Sequence, residues 1–372
     1  MILGILKETG SERRVSFLPE HVAGLKNLGF NSILVEADAG RHVFQSDDNY
    51  KDAGAEVSNF DTITETADVL VSIHPPQADK MKKGSILITQ MNPLGSLEEV
   101  QSLKDNGISV FSLDMVPRTT KAQAMDVLSS MATSAGYKSI LLAAQNLPKF
   151  FPMFMTAAGT IAPSKVLILG AGVAGLQAIS TARRLGAVVE AFDVRAAAKE
   201  EVLSLGAKFV EVEGATDDTS AGGYAVEQTE EFKQRQSELI QEHAIKSDVI
   251  VCTAQIPGRP APLLINEDTV NKMKPGSVIV DLAASTGGNC ALTENDTMVE
   301  VNGVKIFGDS NLASTIPGDS SKMYGKNMIN FFKEAIVDGQ ISFDFENVIL
   351  QHSCITHNGE IISPRIIDKL NQ

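Results

Sequence analysis

Several things are scarce in this chain, and each scarcity narrows what it can be. Cysteine is scarce: Cys252, Cys290 and Cys354 are odd in number and scattered over 372 residues. They fit no disulfide framework and no C-x-x-C metal pattern, so a reducing compartment is expected. There is no run of roughly 18 or more apolar residues, and no direct insertion into a membrane is expected. The N-terminal MILGILKETGSERR has no basic segment leading into a long apolar run, so no signal peptide is expected. Positive charge is in deficit: 32 Lys and Arg stand against 46 Asp and Glu, a net charge of −14, with no basic cluster. Nucleic acid is therefore not an expected partner. Also missing are H-E-x-x-H, a Ser/His/Asp signature and clustered metal ligands, so no metal is expected. No repeat of fixed period occurs. What remains is 43% hydrophobic and 21% charged, enough for roughly two or three domains with cores of their own.

The most informative stretch is Lys165–Asp193, KVLILGAGVAGLQAISTARRLGAVVEAFD. An apolar run, Val166–Leu169, leads into Gly170-Ala171-Gly172-Val173-Ala174-Gly175. A helical pattern follows, Gly186 closes it, and a second apolar strand ends at Asp193. This is a βαβ unit with a G-x-G-x-x-G at the strand-to-helix turn. The first glycine allows the turn, the second leaves room for a pyrophosphate, and the third lets helix and strand pack closely. The helix N-terminus offers unpaired N–H groups and a positive dipole end to phosphate. Asp193 lies 18 residues past Gly175. There a carboxylate can accept both ribose hydroxyls and repel a 2′-phosphate, which predicts NAD(H) over NADP(H).

The rest of the chain alternates strands and helices. Strands are expected over 2–6, 32–36, 69–73, 85–89 and 109–112, with helices over 19–28 and 96–106. This is a parallel α/β pattern without a glycine fingerprint after its first strand. A long helical pattern covers 122–147. After Asp193 come a helix at 196–205 and a strand at 208–212. The polar segment 213–231 follows, with Ala221-Gly222-Gly223-Tyr224; so long a loop is either functional or disordered. A helix at 232–243 and strands at 247–253, 277–283 and 304–307 complete this region. A helix over 318–337 is expected to return to the first domain, and 348–372 reads as a polar tail with short strands. The expected fold is α/β: two Rossmann-like, doubly wound parallel-sheet domains with a cleft between them. The first would be 1–128 plus 310–372, completed by the C-terminal segment, and the second 129–309.

Met115–Ser130, MVPRTTKAQAMDVLSS, is the richest polar stretch near the domain junction. Arg118, Gln123, Asp126 and Ser129 together can hold a carboxamide and a ribose. Gln123 and Asp126, three apart, would share a helical face, and Thr119 or Thr120 would cap the helix. An ordinary capped helix with a solvated face explains half of these residues equally well. His74, His352 and His357 are single histidines, more often structural than catalytic. Arg14 is a cation for a substrate carboxylate, but no proton donor accompanies it.

KETGSERRVSFLPEHV, VLILGAGVAGLQAISTARRLGAVVEAFDVR, VCTAQIPGRPAP and VIVDLAASTGGNC resemble motifs of the alanine dehydrogenase/pyridine nucleotide transhydrogenase family, and the resemblance covers nearly the whole chain. In the dehydrogenase branch a lysine, a histidine and an aspartate serve catalysis. The corresponding positions here are His74, approximately Met91, and Ser285, so the acid/base groups of that branch are replaced. PRTTKAQAMDVLSS is instead similar to the transhydrogenase motif, with Lys121 where arginine is usual. The resemblance implies nicotinamide positioning by Arg118, Gln123 and Asp126. It implies cofactor contacts at Ser129, at Gly170 through Gly175 (Ala171, Gly172, Val173 and Ala174 included), at Asp193, Val194 and Arg195, and at Thr253, Ala254 and Gln255. AGGYA resembles the mobile loop of that branch, with Tyr224 folding over bound NAD(H). The implied role is the NAD(H)-binding component of a proton-translocating NAD(P)+ transhydrogenase. Hydride would pass to NADP+ on a partner subunit, a step that moves no proton at the site. The implied partners are NADP(H)-binding and membrane-spanning subunits and a second copy of the chain, with a cytoplasmic, membrane-peripheral location. The chain would be a split subunit or an excised domain. An alanine dehydrogenase-like enzyme and a non-catalytic NAD(H) sensor remain the alternatives.

Overall fold

The computed structural model describes residues 1–211, 230–256 and 258–371. The chain divides into two compact units, Met1–Met131 with Ala313–Gln372, and Ala132–Leu312.

The first unit is built on strands β1 (Ile2–Ile5), β2 (Ser32–Glu36), β3 (Glu56–Ser58), β4 (Val69–Val71), β5 (Ile86–Thr89) and β6 (Ser109–Ser112). Their order across the sheet is β6-β5-β4-β1-β2-β3, and every pairing is parallel. Strands Cys354–His357 and Glu360–Ile361 extend the β6 edge antiparallel. Side chains alternate between two cores. Leu3, Ile5, Val69, Val71 and Phe111 face one layer; Leu34, Leu70, Leu87 and Val110 face the other. Helix Pro317–Ala335 covers the first face with Tyr324, Met328, Phe331 and Phe332. Helix Leu97–Asp105 covers the second with Val100 and Leu103. Burial on both faces is why these strands read as unbroken apolar runs.

The second unit repeats the plan with β7 (Lys165–Leu169), β8 (Val188–Phe192), β9 (Lys208–Phe209), β10 (Val249–Cys252), β11 (Val278–Asp281), β12 (Met298–Val301) and β13 (Val304–Phe307). Its order is β9-β8-β7-β10-β11-β13-β12, parallel except for the terminal β12–β13 hairpin. Val166 and Ile168 face one core, Leu167 and Leu169 the other. Both units thus carry the doubly wound order in which the direction of winding reverses beside the first strand.

The structure corrects the sequence reading at several places. No single helix runs over 122–147. A 3-10 turn, Thr120–Met125, ends at Asp126 (φ −73°, ψ 90°), and the α-helix begins as Val127–Asn146. Asp126 favours the cap because its carboxylate accepts from the Ser129 N–H (2.8 Å) and hydroxyl (2.6 Å). Thr119 stands at the cap of the 3-10 turn but makes no side-chain cap bond. The segment after 347 carries the short strands expected there, but also two helices that were not, Val348–Ser353 and Pro364–Leu370, with Ile355 and Ile366 buried in the second core. The hairpin Phe154–Thr156/Gly159–Ile161 and strand β3 leave little pattern in the sequence because they are short and mostly exposed. The expected loop over 213–231 lies outside the described residues up to residue 229, and the helix after it is Glu230–Lys246.

Candidate functional site

In the second unit β7 passes into helix Val173–Arg184 through the glycine fingerprint. Each glycine has its own physical reason. Gly170 has φ +100°, and a Cβ there would lie 2.5 Å from Thr253 Oγ1. A Cβ on Gly175 would lie 1.9 Å from the Gly170 carbonyl oxygen. A Cβ on Gly172 would meet no atom of the described residues within 4 Å, so the space above it is open. Gly172 is the N-cap residue and has no side chain with which to cap the helix. The first-turn N–H groups therefore face open space with the positive end of the dipole behind them, an arrangement that fits a pyrophosphate. A further close approach comes from Gly136, where a Cβ would lie 2.1 Å from the Ala174 carbonyl oxygen.

Asp193 ends β8 and is tied back to the fingerprint. Its Oδ2 accepts from the Ala171 N–H at 2.7 Å. Its Oδ1 accepts from the Arg195 N–H at 2.8 Å, and the Arg195 guanidinium donates through Nε and Nη2 at 3.0 Å each. The Asp193 side chain is only 7% exposed and Arg195 39%. Val194 between them is exposed.

The loop after β10 is fixed from behind. The Thr253 hydroxyl donates to the Gly170 carbonyl (2.9 Å), which couples this loop to the fingerprint turn. Asn289 brackets Ala254, accepting from its N–H (3.0 Å) and donating to its carbonyl (2.9 Å) and to that of Pro262 (2.8 Å). Gln255 donates to the Leu282 carbonyl. Asn289 is held in turn by Asp281 at the end of β11, which accepts from the N–H groups of Asn289 and Cys290 and from Thr293 Oγ1. Asp281 and Asn289 are fully buried. Sequence reasoning missed both as positioning residues. The available signal was a carboxylate at the end of an apolar strand followed by Gly287-Gly288; a Cβ on Gly288 would lie 2.9 Å from Asp281 Oδ2.

In the first unit, Arg118 and Gln123 are exposed, Arg118 just before the 3-10 turn and Gln123 within it, while Asp126 and Ser129 cap the following helix. The turn is held by Asn327 and Asn330, which donate to the Ala124 carbonyl, and by the Lys121–Glu334 ion pair at 2.5 Å. Tyr224 lies outside the described residues.

Where the winding of the first unit reverses, between β1 and β4, no fingerprint stands. Four titratable side chains occupy the place. Glu8 accepts from the Ile73 N–H (2.5 Å) and the His74 N–H (3.1 Å). Burial pushes its carboxyl up to about 7, although those bonds oppose the shift. Glu12 accepts from Arg14 through Nε (2.8 Å) and Nη2 (2.6 Å) and pairs with His74 Nε2 at 3.1 Å. Burial pushes the Glu12 carboxyl up, but the Arg14 and His74 bonds outweigh it and hold it below the usual range. The same Glu12 bond raises His74 against the opposing effect of burial. His357 packs face to face on Phe343 and bonds Ser109 Oγ at 3.0 Å. Among the described residues no group of three or more His, Cys, Asp or Glu is placed to hold a metal ion.

Residues 4–135 match the alanine dehydrogenase/PNT N-terminal domain and residues 139–364 its C-terminal domain. The chain is 41% identical over 368 residues to an NAD(P) transhydrogenase subunit alpha protein of Rhodospirillum rubrum, covering 95% of this chain and 96% of that one. It is 26% identical over 383 residues to an alanine dehydrogenase of Mycolicibacterium smegmatis, covering 100% and 97%. Among solved structures, a transhydrogenase from Sinorhizobium meliloti superposes with a TM-score of 0.86 at 40% identity, over 98% of this chain and 100% of that chain.

Proposed function

Because the chain belongs to the alanine dehydrogenase/PNT family, we propose that it is the NAD(H)-binding component of a proton-translocating transhydrogenase. NADH supplies a hydride, which passes to NADP+ on a partner subunit. The fingerprint turn holds the pyrophosphate, Asp193 and Arg195 hold the adenosine ribose end, and Thr253, Ala254 and Gln255 line the nucleotide from the loop after β10. Arg118, Gln123, Asp126 and Ser129 position the nicotinamide and its ribose, and Tyr224 folds over the bound nucleotide. The work of these groups is alignment of a ring, since transfer between two nicotinamides needs no acid or base.

The observation that carries this reading over amino-acid dehydrogenation is the engagement of Glu12. Reduction of a 2-oxo acid needs an available cation for the carboxylate and a proton donor at the carbonyl. Arg14, the one cation kept at that position, has its Nε and Nη2 donors on Glu12, and His74 faces the same carboxylate. No helix among the described residues is long and apolar enough to cross a membrane. Proton coupling is therefore assigned to membrane-spanning partners, on which the chain would dock peripherally as a homodimer.

The deciding experiment follows NADH-dependent reduction of an NADP+ analogue with and without an NADP(H)-binding subunit. Activity only with that subunit supports the proposal. Turnover of pyruvate and ammonia by the chain alone would overturn it. Tight NADH binding with neither activity would mark a sensor.

A further inference from the structure

Selectivity for NAD(H) is ordinarily assigned to a carboxylate that bonds the ribose hydroxyls and repels a 2′-phosphate. The local geometry here differs from that simple picture. The Asp193 carboxylate carries four donors: the N–H groups of Ala171 and Arg195, and the Nε and Nη2 groups of Arg195. Four donors engage the carboxylate, and the ion pair is close to neutral as a unit. A 2′-phosphate approaching it meets a guanidinium that is already neutralised and whose Nε–Nη2 edge is taken.

We infer that Arg195 is a latent ligand for the 2′-phosphate of NADP(H), kept out of use because Asp193 neutralises it and holds its Nε–Nη2 edge. This inference rests on the NAD(H) reading of the fingerprint site. Arg195 is the residue type that receives a 2′-phosphate in NADP-dependent sites, and it stands two residues past the carboxylate that would meet the ribose. It is partly exposed, so its outer face is within reach of a ligand. The next cation along the chain, Lys199, is tied to Glu211 at 2.5 Å. Discrimination is thus a competition between two anions for one guanidinium. Removing the internal anion hands the cation to the external one without adding any positive residue.

The test uses the full chain and two probes for the ribose end, 5′-AMP and adenosine 2′,5′-bisphosphate, titrated by calorimetry beside NADH. Asp193→Asn keeps an oxygen for the Ala171 N–H and removes the charge. It is expected to bind the bisphosphate about tenfold or more tighter than the parent chain does, with the gain shrinking as salt is raised. Asp193→Asn/Arg195→Ala is expected to lose that gain. Arg195→Ala alone serves as the background against which the double variant is read. A gain that survives removal of Arg195, or no gain in a folded Asp193→Asn chain, overturns the inference. If Asp193→Asn does not fold, Asp193→Ser replaces it and is read in the same way, with and without Arg195: no gain, or a gain that survives removal of Arg195, overturns the inference. Failure of the parent chain to bind NADH sinks the underlying reading instead, so the two failures are distinct.

Discussion

The two units place the same strand order around the same kind of reversal point and do opposite things there. In the second unit the point beside β7 is left open: a Cβ on Gly172 would meet no atom of the described residues within 4 Å, and the N-cap glycine has no side chain to cap the helix. In the first unit the point beside β1 is filled by Glu8, Glu12, Arg14 and His74, bonded to one another and to the backbone after β4. The difference teaches that a doubly wound sheet supplies a place for a ligand and nothing more. Whether that place becomes a nucleotide cradle or an internal polar plug depends on a few side chains at the strand ends.

The comparison can be broken or sharpened by substitution. Gly175→Ala forces a Cβ to within 1.9 Å of a backbone oxygen. It is expected to cost about 4 kcal/mol in urea denaturation and to abolish NADH binding. Arg14→Met leaves the Glu12 carboxylate buried without its bidentate partner. The expected loss is about 3 kcal/mol, with NADH affinity held within about twofold. If binding collapsed while stability held, the plug would have to be reread as a ligand site. Gly172→Ala is expected to leave the melting temperature in place, because φ is −75° and the added methyl meets no atom of the described residues. NADH affinity should nevertheless fall about tenfold or more, since that space belongs to the phosphate. Equal falls in stability and affinity would show the glycine to be structural.

Glu8→Gln probes the plug by pH. Burial raises the Glu8 carboxyl from 4.5 to about 7 in the folded chain. Across that window the folded chain keeps a proton that the unfolded chain has released, so this group makes stability fall as pH rises. The substitution removes that slope. Relative to the parent, the variant should gain stability between about pH 4.5 and 7, by on the order of 1–3 kcal/mol. Glu12 and His74 are common to both proteins and largely cancel in the difference. A constant difference would mean that Glu8 ionises normally. The smallest effect is expected at Asp126→Ala, where loss of the helix cap costs about 1 kcal/mol. A fall in hydride-transfer rate beyond that scale, in stopped flow with the partner subunit, would add a nicotinamide role to the capping role.

Much of this was legible from residue patterns because the features concerned are local. Continuous apolar runs marked most strands of both sheets, and the spacing from Gly170 to Asp193 marked the βαβ unit. The family motifs implied the family to which the chain belongs. Long-range partners were not legible. Nothing in the sequence places Arg195 on Asp193 rather than in solvent, or Asn289 on Ala254 across 35 residues. Asp126 was read as belonging to a helical face because periodicity counts residues and does not register that a carboxylate can end one helix and start another. The tail after Val348 looked polar because its strands are short and the buried run Cys354–Thr356 is set among polar residues and includes one itself, Thr356.

The first unit is discontinuous along the chain, and this bears on its birth at the ribosome. Its return helix carries Tyr324, Phe331 and Phe332, among the largest fully buried side chains, and the strand that seals the β6 edge comes later still. All of Ala132–Leu312 is synthesised in between. At ordinary elongation rates that is a wait of roughly 10–40 s. For that time the N-terminal strands have one core face only partly covered and one edge unpaired, while the nucleotide-binding unit has everything it needs to fold. The nascent β6 edge is thus an open strand edge that stays unpaired for that whole wait during synthesis, the kind of edge that invites pairing with another chain.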